Sequence, residues 1–152
     1  MGDERIYTEG TKSQSMSESS YKVKSYDHVP ERYQAAVYSK WLRSLRFGND
    51  FFKMVDSGPY YEAYHRYLGV ILSRPDVCFR VATLSDDDDI VLGFSVSRDH
   101  VLDYVHVHKD FRRLGIGRNL VPPGIDTITH LTRTAISIWG SKCSSWKFNP
   151  FA

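Results

Sequence analysis

The spacing of apolar residues in the first half of the chain predicts a strand followed by two helices. Residues 21–26 alternate polar and apolar side chains, which is typical of a strand with one buried face. After Pro30, large apolar side chains recur at every fourth position, as on one face of a helix. These positions are Tyr33, Val37, Trp41 and Leu45. A loop is predicted over 47–58, and a second amphipathic helix from about Pro59 to Ser73.

Three apolar segments in the middle of the chain predict a run of antiparallel strands. They cover residues 76–84, 90–97 and 101–107. The turn at 85–89 holds four adjacent aspartates, which raises the question of calcium. The glycine and the closing glutamate of a calcium-binding loop are missing, so we expect a solvated hairpin turn.

Two prolines limit the helix that follows these strands. Pro122-Pro123 lies within two turns of Gly117. Because proline in a helix interior removes a hydrogen bond and costs about 3 kcal/mol, the helix should end near Val121. We expect a second helical piece from Pro123, and then a strand over 134–139. The residues expected to face inward from that helical piece are Ile125, Ile128 and Leu131.

Composition and charge are those of one ordinary globular domain. The chain has 152 residues, of which 41% are hydrophobic and 25% charged. A net charge of +2 does not favour nucleic acid as a partner. No segment has the apolar length of a membrane span, and no signal peptide is recognisable. Cys78 and Cys143 lack metal-binding spacing, which indicates free thiols in a reducing compartment such as the cytoplasm.

Composition and hydrophobic patterning divide the chain into three predicted regions. Residues 1–20 are rich in serine and almost free of apolar side chains, which is typical of a flexible N-terminal arm. The patterned segments define a domain over 21–140, and residues 141–152 form a C-terminal tail.

The segment from Val105 to Leu120 carries the chemistry of this chain. A strand ends at Val107 and leads into the motif Arg112-x-x-Gly115-x-Gly117, which opens a helix. Two glycines one residue apart allow a tight backbone turn that exposes N–H groups to a ligand. The positive end of a helix adds to this attraction for anions. The arrangement is suited to hold a pyrophosphate.

This order of residues resembles the cofactor motif of the GNAT superfamily of acyltransferases, with Arg112, Gly115 and Gly117 at the defining places. Residues 90–96 are similar to the family's preceding strand. The resemblance covers residues 21 to about 140 and implies an α+β fold, with a mixed, mainly antiparallel sheet flanked by helices. Because the chain ends soon after Trp139, we expect it to lack the family's C-terminal helix and last two strands.

The resemblance also implies a cosubstrate, acetyl-CoA, and the backbone that would bind it. Main-chain groups of Val105, His106 and Val107 would hold the pantetheine and polarise the thioester. Arg112 or Arg118 would add positive charge. The N–H groups expected at the pyrophosphate are those of Arg113, Leu114, Gly115, Ile116, Gly117 and Arg118.

The general base and acid are harder to place than the cofactor loop. The family often has a glutamate near the start of the cofactor strand, where this chain has Val101, and Asp103 is the nearest substitute. His106 is a second candidate base, since imidazole titrates near neutral pH. Strand alternation would place these two side chains on opposite faces. The family's late tyrosine, which protonates the leaving thiolate, has no counterpart after Tyr104. A metal site at His106-x-His108 is not favoured, since a third ligand is not evident.

Two functions of different classes follow from these observations. The first is an N-acyltransferase that moves an acetyl group from acetyl-CoA directly to a primary amine, on a small molecule or a protein. The second is a catalytically weak or inactive GNAT-like module in a larger assembly such as a phage virion, as the shortened C-terminal part and the broken helix suggest. The arm and the tail could then mediate homo-oligomer or assembly contacts, and the location would be the cytoplasm or the virion.

Overall fold

The computed structural model describes residues 20–132, residue 136 and residues 146–152. The predicted arm therefore lies outside the described residues apart from Ser20, as does Cys143. The division into arm, domain and tail stays a prediction. The described elements are β1 (Tyr21–Tyr26), α1 (Glu31–Phe47), α2 (Asp50–Lys53), α3 (Ser57–Leu72), β2 (Cys78–Leu84), β3 (Asp87–Arg98), β4 (Val101–Val107), α4 (Ile116–Leu120), β5 (Thr127–Ile128) and β6 (Lys147–Phe148).

The strands form one six-stranded sheet in the order β1-β2-β3-β4-β5-β6. The first four strands are antiparallel neighbours, and β5 is parallel to both β4 and β6. The predicted α+β class and the mainly antiparallel mixed sheet are therefore confirmed. In the part of the chain that the structure describes, the last two strands have two residues each.

One face of the sheet is covered by α1 and α3, which bury the helical stripe predicted from the sequence. The stripe positions Tyr33, Val37, Trp41 and Leu45 are all buried there. From α3, Leu68 and Ile71 complete this layer. The Trp41 ring stacks on Tyr104 of β4 with a centroid separation of 4.3 Å, which fixes α1 against the middle of the sheet.

The opposite face of the sheet packs against α4 and the segment that follows it. Leu92, Val105 and Val107 from the strands meet Ile116 and Leu120 of α4 in this second cluster. Ser95 donates a hydrogen bond of 2.6 Å from its Oγ to the carbonyl oxygen of Leu120, which holds the end of the helix to β3. The short helix is thereby fixed directly behind β4.

The acidic turn is tighter than the sequence suggested. Only Ser85 and Asp86 form the turn, and the next three aspartates belong to β3. Asp88 makes ion pairs with Lys22 and Lys24, and Asp89 with Arg32. These aspartates therefore join the hairpin to β1 and α1.

The loop predicted over 47–58 contains a short helix, α2. Asn49 caps this helix through its side-chain oxygen.

The prediction of a second helical piece after Pro123 is wrong. Gly124, at φ 88°, turns the chain back, and the N–H groups of Asp126 and Thr127 then donate to the His100 carbonyl oxygen. This places β5 beside the beginning of β4, where Ile125 and Ile128 are buried as expected. A turn immediately after the prolines leaves no room for a helix.

The predicted strand 134–139 is described at one residue only. There, the Ile136 N–H donates to the Thr132 carbonyl oxygen at 2.8 Å. The other residues of that predicted strand lie outside the described residues. Among the described residues, the strand beside β4 on the side away from β3 is Thr127–Ile128.

The close packing of β3 against β4 makes Gly93 sensitive to substitution. A Cβ at Gly93 would lie 2.6 Å from the backbone oxygen of His106 and 3.1 Å from Leu120. We expect Gly93→Ala to lower the free energy of unfolding by about 1–3 kcal/mol, because the backbone must shift. Urea unfolding measures this. Gly58→Ala is the control, since its Cβ meets nothing within 4 Å, and it should cause no loss. Equal stability of the two variants would contradict the prediction.

Candidate functional site

A cleft of about 180 Å³ lies where β4 and β5 diverge. Among the described residues, the two strands pair only at Val101–Leu102 of β4, and the last backbone hydrogen bond between them runs from the Thr129 N–H to the Leu102 carbonyl oxygen. The second half of β4 therefore has an edge that β5 does not cover. The cleft is lined by Ser44, Phe47, Gly48, Tyr104, Val105, His106, Arg112 and Thr132. It brings together three of the predicted site residues, namely Val105, His106 and Arg112.

The predicted pyrophosphate loop begins at the end of β4. After a single 3₁₀ turn at Lys109–Phe111, the chain reaches Arg113 at φ 68° and Gly115 at φ 82°. Gly115 is the N-cap residue of α4. The first N–H groups of a helix have no intrahelical acceptor, and neighbouring residues of alternating handedness turn successive N–H groups toward one side. This local geometry is suited to an anion.

The side chains of the loop divide into anchors and exposed cations. Ile116 is buried in the core, so only its main chain could reach a ligand. Arg112 donates from Nε to the Val107 carbonyl oxygen at 3.0 Å, which holds the loop to the end of β4. Arg113 and Arg118 are exposed. The predicted end of the helix near Val121 is confirmed, since α4 has five residues.

His106 lies in the cleft as a neutral imidazole. Burial, together with the positive charges of Lys40 and Arg112, lowers the pKa of His106 to about 4. The ring packs 5.8 Å from the Phe94 ring. At neutral pH this side chain can accept a hydrogen bond, but it holds a proton poorly. Its predicted catalytic role stays a prediction.

This depressed pKa should make the protein less stable in mild acid. Below pH 6.5 the unfolded chain binds a proton at His106 that the folded state does not bind until about pH 4, so stability is full above pH 6.5 and falls between these values. The shift corresponds to a loss on the order of 3 kcal/mol. Denaturant unfolding from pH 4 to 8 should show a shallower fall for His106→Gln than for the wild type. The exposed His65→Gln is the control, and identical slopes for all three proteins would contradict the prediction.

Asp103 lies in a buried ion pair instead of the cleft. Its carboxylate accepts hydrogen bonds from Arg98 Nε at 3.1 Å and from Thr129 Oγ1 at 3.0 Å, and Arg74 approaches to 3.7 Å. The expected simple alternation fails at this residue, because Leu102 pairs with Ser97 whereas Tyr104 pairs with Val96. Asp103 is thus the extra residue of a β-bulge. The structure does not bring Asp103 and His106 together at one site.

The second histidine of the possible metal pair is engaged within the protein. His108 accepts a hydrogen bond at Nδ1 from the Asp110 N–H at 3.2 Å. Within the described residues, no group of three or more His, Cys, Asp and Glu side chains is arranged to bind a metal ion. In the same part of the chain, no helix is long and apolar enough to cross a membrane.

Sequence reasoning missed two polar groups beside the cleft. His130 is 9% exposed and touches the rings of Trp41 and Tyr104. The Tyr104 hydroxyl is hydrogen-bonded to Ser44 Oγ at 2.6 Å, and burial raises the pKa of this phenol. His130 follows β5, which was not predicted, so no periodic pattern could have indicated its position. Tyr104 lies within a largely apolar strand, where the sequence alone does not distinguish a polar role from a place in the core.

Comparisons with known proteins agree with this architecture. No family model and no curated protein sequence matches the chain. Among solved structures, a protein of Pyrococcus furiosus named as an acetyl transferase is 19% identical, with a TM-score of 0.54 over 85% of this chain and 80% of that one. A Staphylococcus aureus protein named as a GNAT family acetyltransferase is 9% identical, with a TM-score of 0.47 over 84% and 98%.

A third similar structure is that of an enzyme with its ligand. The aminoglycoside N-acetyltransferase AAC(6')-Iy, solved in complex with CoA, is 12% identical, with a TM-score of 0.38 over 84% of this chain and 74% of that one. At such identities the likeness concerns the fold. The chain has the fold of the GNAT acetyltransferases, as its strand-loop-helix motif predicted.

Proposed function

We propose that this protein is an N-acetyltransferase that moves an acetyl group from acetyl-CoA to a primary amine by direct transfer. One observation carries the proposal: within the described part of the chain, β5 pairs with β4 only at Val101–Leu102, and the second half of β4 leads from the cleft to the loop from Arg112 to Gly117. A ligand with an extended arm and a pyrophosphate has this shape. The CoA bound to AAC(6')-Iy, a protein of similar fold, supports the choice of ligand.

The loop fits a pyrophosphate by its backbone and its charge. A Cβ at Gly115 would have nothing within 4 Å, so the space outside this turn is open to a ligand. Arg113 keeps a left-handed backbone although it is not glycine, a conformation that costs about 1–3 kcal/mol and is concentrated at functional sites. The exposed side chains of Arg113 and Arg118 add positive charge on either side of the turn.

The cleft supplies the second requirement, which is a place for the reacting atoms. Main-chain groups of Val105 to Val107 would align the pantetheine and polarise the thioester carbonyl. The amine nitrogen would attack the carbonyl carbon, the carbon–sulfur bond would break, and CoA would leave as a thiolate that takes up the proton lost by the nitrogen. Holding both reactants in the cleft makes the attack effectively unimolecular, which supplies much of the rate.

A second candidate function is a structural or interaction module with this fold and little activity. The brevity of α4 favours it, because a helix of five residues gives less support to a pyrophosphate than one of several turns. A virion or another large assembly would be its setting, whereas the enzyme would work in the cytoplasm.

The proposal is tested by incubating the purified full chain with acetyl-CoA and a panel of primary amines, and by detecting acetylated products by mass spectrometry. The panel should include aminoglycosides, polyamines, amino acids and peptides with free N-termini. We expect transfer to at least one class, and none with Gly117→Trp, whose side chain would fill the loop. Folded protein that acetylates no amine would overturn the proposal in favour of the interaction module.

A further inference from the structure

A chain of hydrogen bonds runs from the buried carboxylate of Asp103 to a tyrosine of α3. Thr129 Oγ1 lies 3.0 Å from Asp103 Oδ1 and 2.9 Å from His130 Nδ1. His130 Nδ1 is also 2.9 Å from the Asp103 carbonyl oxygen, and His130 Nε2 lies 3.4 Å from the Tyr64 hydroxyl. Carboxylate, hydroxyl, imidazole and phenol are thus connected in a single line.

The partners of the imidazole determine which nitrogen carries its proton. A carbonyl oxygen can only accept, so Nδ1 of His130 must be the donor to Asp103. Nε2 then holds a lone pair, and it faces the O–H group of Tyr64. Thr129 in turn donates its hydroxyl proton to the Asp103 carboxylate. Every group in the line has a consistent partner, and the free basic site is Nε2.

The surroundings of His130 favour it as a base over the two residues predicted from sequence. The Asp103 carboxylate is occupied by Arg98 and Thr129, and His106 stands beside two cations. Burial lowers the pKa of His130, and the negative charge of Asp103 opposes that effect. The Asp103 carboxylate therefore stabilises the protonated imidazole of His130.

Among the described residues, the other groups packed on the His130 ring are uncharged. They are Trp41 of α1, Tyr104 of β4, and Tyr64 and Tyr67 of α3. Arg74 and Arg98 reach the site only through the Asp103 carboxylate. Burial raises the pKa of Tyr64 to about 12, so this phenol remains protonated and able to donate near neutral pH.

The network adjoins the cleft at Tyr104, and its Tyr64 end packs on the helix that follows two of the cleft residues. Tyr104, which lines the cleft, has its ring centroid 5.9 Å from that of His130. Tyr64 packs 5.2 Å from Phe52 of α2, the short helix that follows the cleft residues Phe47 and Gly48. An acceptor entering beside α2 would therefore approach the Tyr64 end of the line.

We propose that His130 accepts the proton of the acceptor amine through the hydroxyl of Tyr64. The acceptor, which enters as an ammonium ion, gives a proton to the phenol oxygen while the phenol gives its own to His130 Nε2, and the neutral amine then has a free lone pair to attack the thioester. Tyr64 would be the catalytic residue in contact with substrate, and His130 and Asp103 would act through it. This inference rests on the proposed acetyl transfer.

The test is the pH dependence of kcat/KM for acetyl transfer to the amine found in the panel. The wild type should show an inflection below pH 6.5, in addition to that of the amine itself. His130→Gln should lose this inflection and about 100-fold or more of kcat/KM. Tyr64→Phe should lower kcat by at least about tenfold with an unchanged KM for acetyl-CoA. Tyr64→Phe removes a single oxygen atom and keeps the ring, so we expect this variant to fold. It therefore tests the proposal even if His130→Gln does not fold.

Tyr67→Phe is the matched control, since the Tyr67 ring also faces His130, at 6.2 Å, and among the described residues its hydroxyl is not bonded to it. It should leave the rate and the pH profile unchanged. If His130→Gln and Tyr64→Phe are both active with the wild-type pH profile, proton transfer through Tyr64 to His130 is overturned, while the proposed acetyl transfer stands. If the wild-type protein acetylates no amine, the proposed function is overturned, and the proton transfer with it.

Discussion

Replacing Gly115 by alanine should weaken acetyl-CoA binding roughly tenfold or more. Gly115 adopts φ 82°, which costs an L-residue roughly 1–2 kcal/mol, and this turn is the one that would present N–H groups to the pyrophosphate. A loop that relaxes to a negative φ would lose the binding geometry, and roughly 1.4 kcal/mol corresponds to a tenfold change in affinity. Titration calorimetry with acetyl-CoA measures the effect.

Gly124→Ala is the matched control for this substitution. Gly124 also has a left-handed backbone, at φ 88°, and a Cβ there likewise meets nothing within 4 Å. Both variants should lose a similar amount of stability, but only Gly115→Ala should lose affinity. Equal affinities for acetyl-CoA in the two variants would show that the 112–117 loop does not bind the cosubstrate.

Arg98→Met should lower the free energy of unfolding by about 3 kcal/mol or more. Asp103 is 2% exposed, and Arg98 makes two hydrogen bonds to its carboxylate. Without Arg98, the partners that remain for this buried charge among residues 20–132, 136 and 146–152 are Thr129 and a more distant Arg74, and an uncompensated buried charge costs about 3–5 kcal/mol. Guanidinium chloride unfolding at neutral pH measures the loss.

The control for this ion pair is Arg66→Met on the outer surface of α3. Arg66 pairs with Glu62 at 3.4 Å, and both side chains are largely exposed, so its loss should cost less than about 1 kcal/mol. The double variant Arg98→Met/Asp103→Leu should regain much of the lost stability, because it removes both charges. Similar losses for Arg98→Met and Arg66→Met would contradict the account of Asp103 as a buried anion.

The parts of the fold that could be predicted are those with a sustained period. The four-residue repeat from Tyr33 to Leu45 identified the buried face of α1, and the strand predicted over 101–107 has the bounds of β4. The glycines at 115 and 117 indicated the loop and the start of α4 correctly. Each of these features depends on neighbouring residues, so local patterns were sufficient.

The parts that could not be predicted depend on contacts between distant segments. β5 has two residues, too few to show alternation, and it is defined by bonds from 126 and 127 to the His100 carbonyl oxygen. The bulge at Asp103 is visible only from the pairing of β4 with β3. Since His130 is placed by both features, the network around it could not be inferred from the sequence.

The measurement that tests the central claim most directly is a calorimetric titration of the purified full chain with acetyl-CoA. We predict one site per chain with a micromolar Kd. We predict no detectable binding to the Gly117→Trp variant, with denaturant unfolding at the same midpoint as the wild type as the control that this variant is folded. A folded wild-type protein that does not bind acetyl-CoA would contradict the account. The loop from Arg112 to Gly117 would then serve only to begin α4, and the fold would have a use other than acetyl transfer.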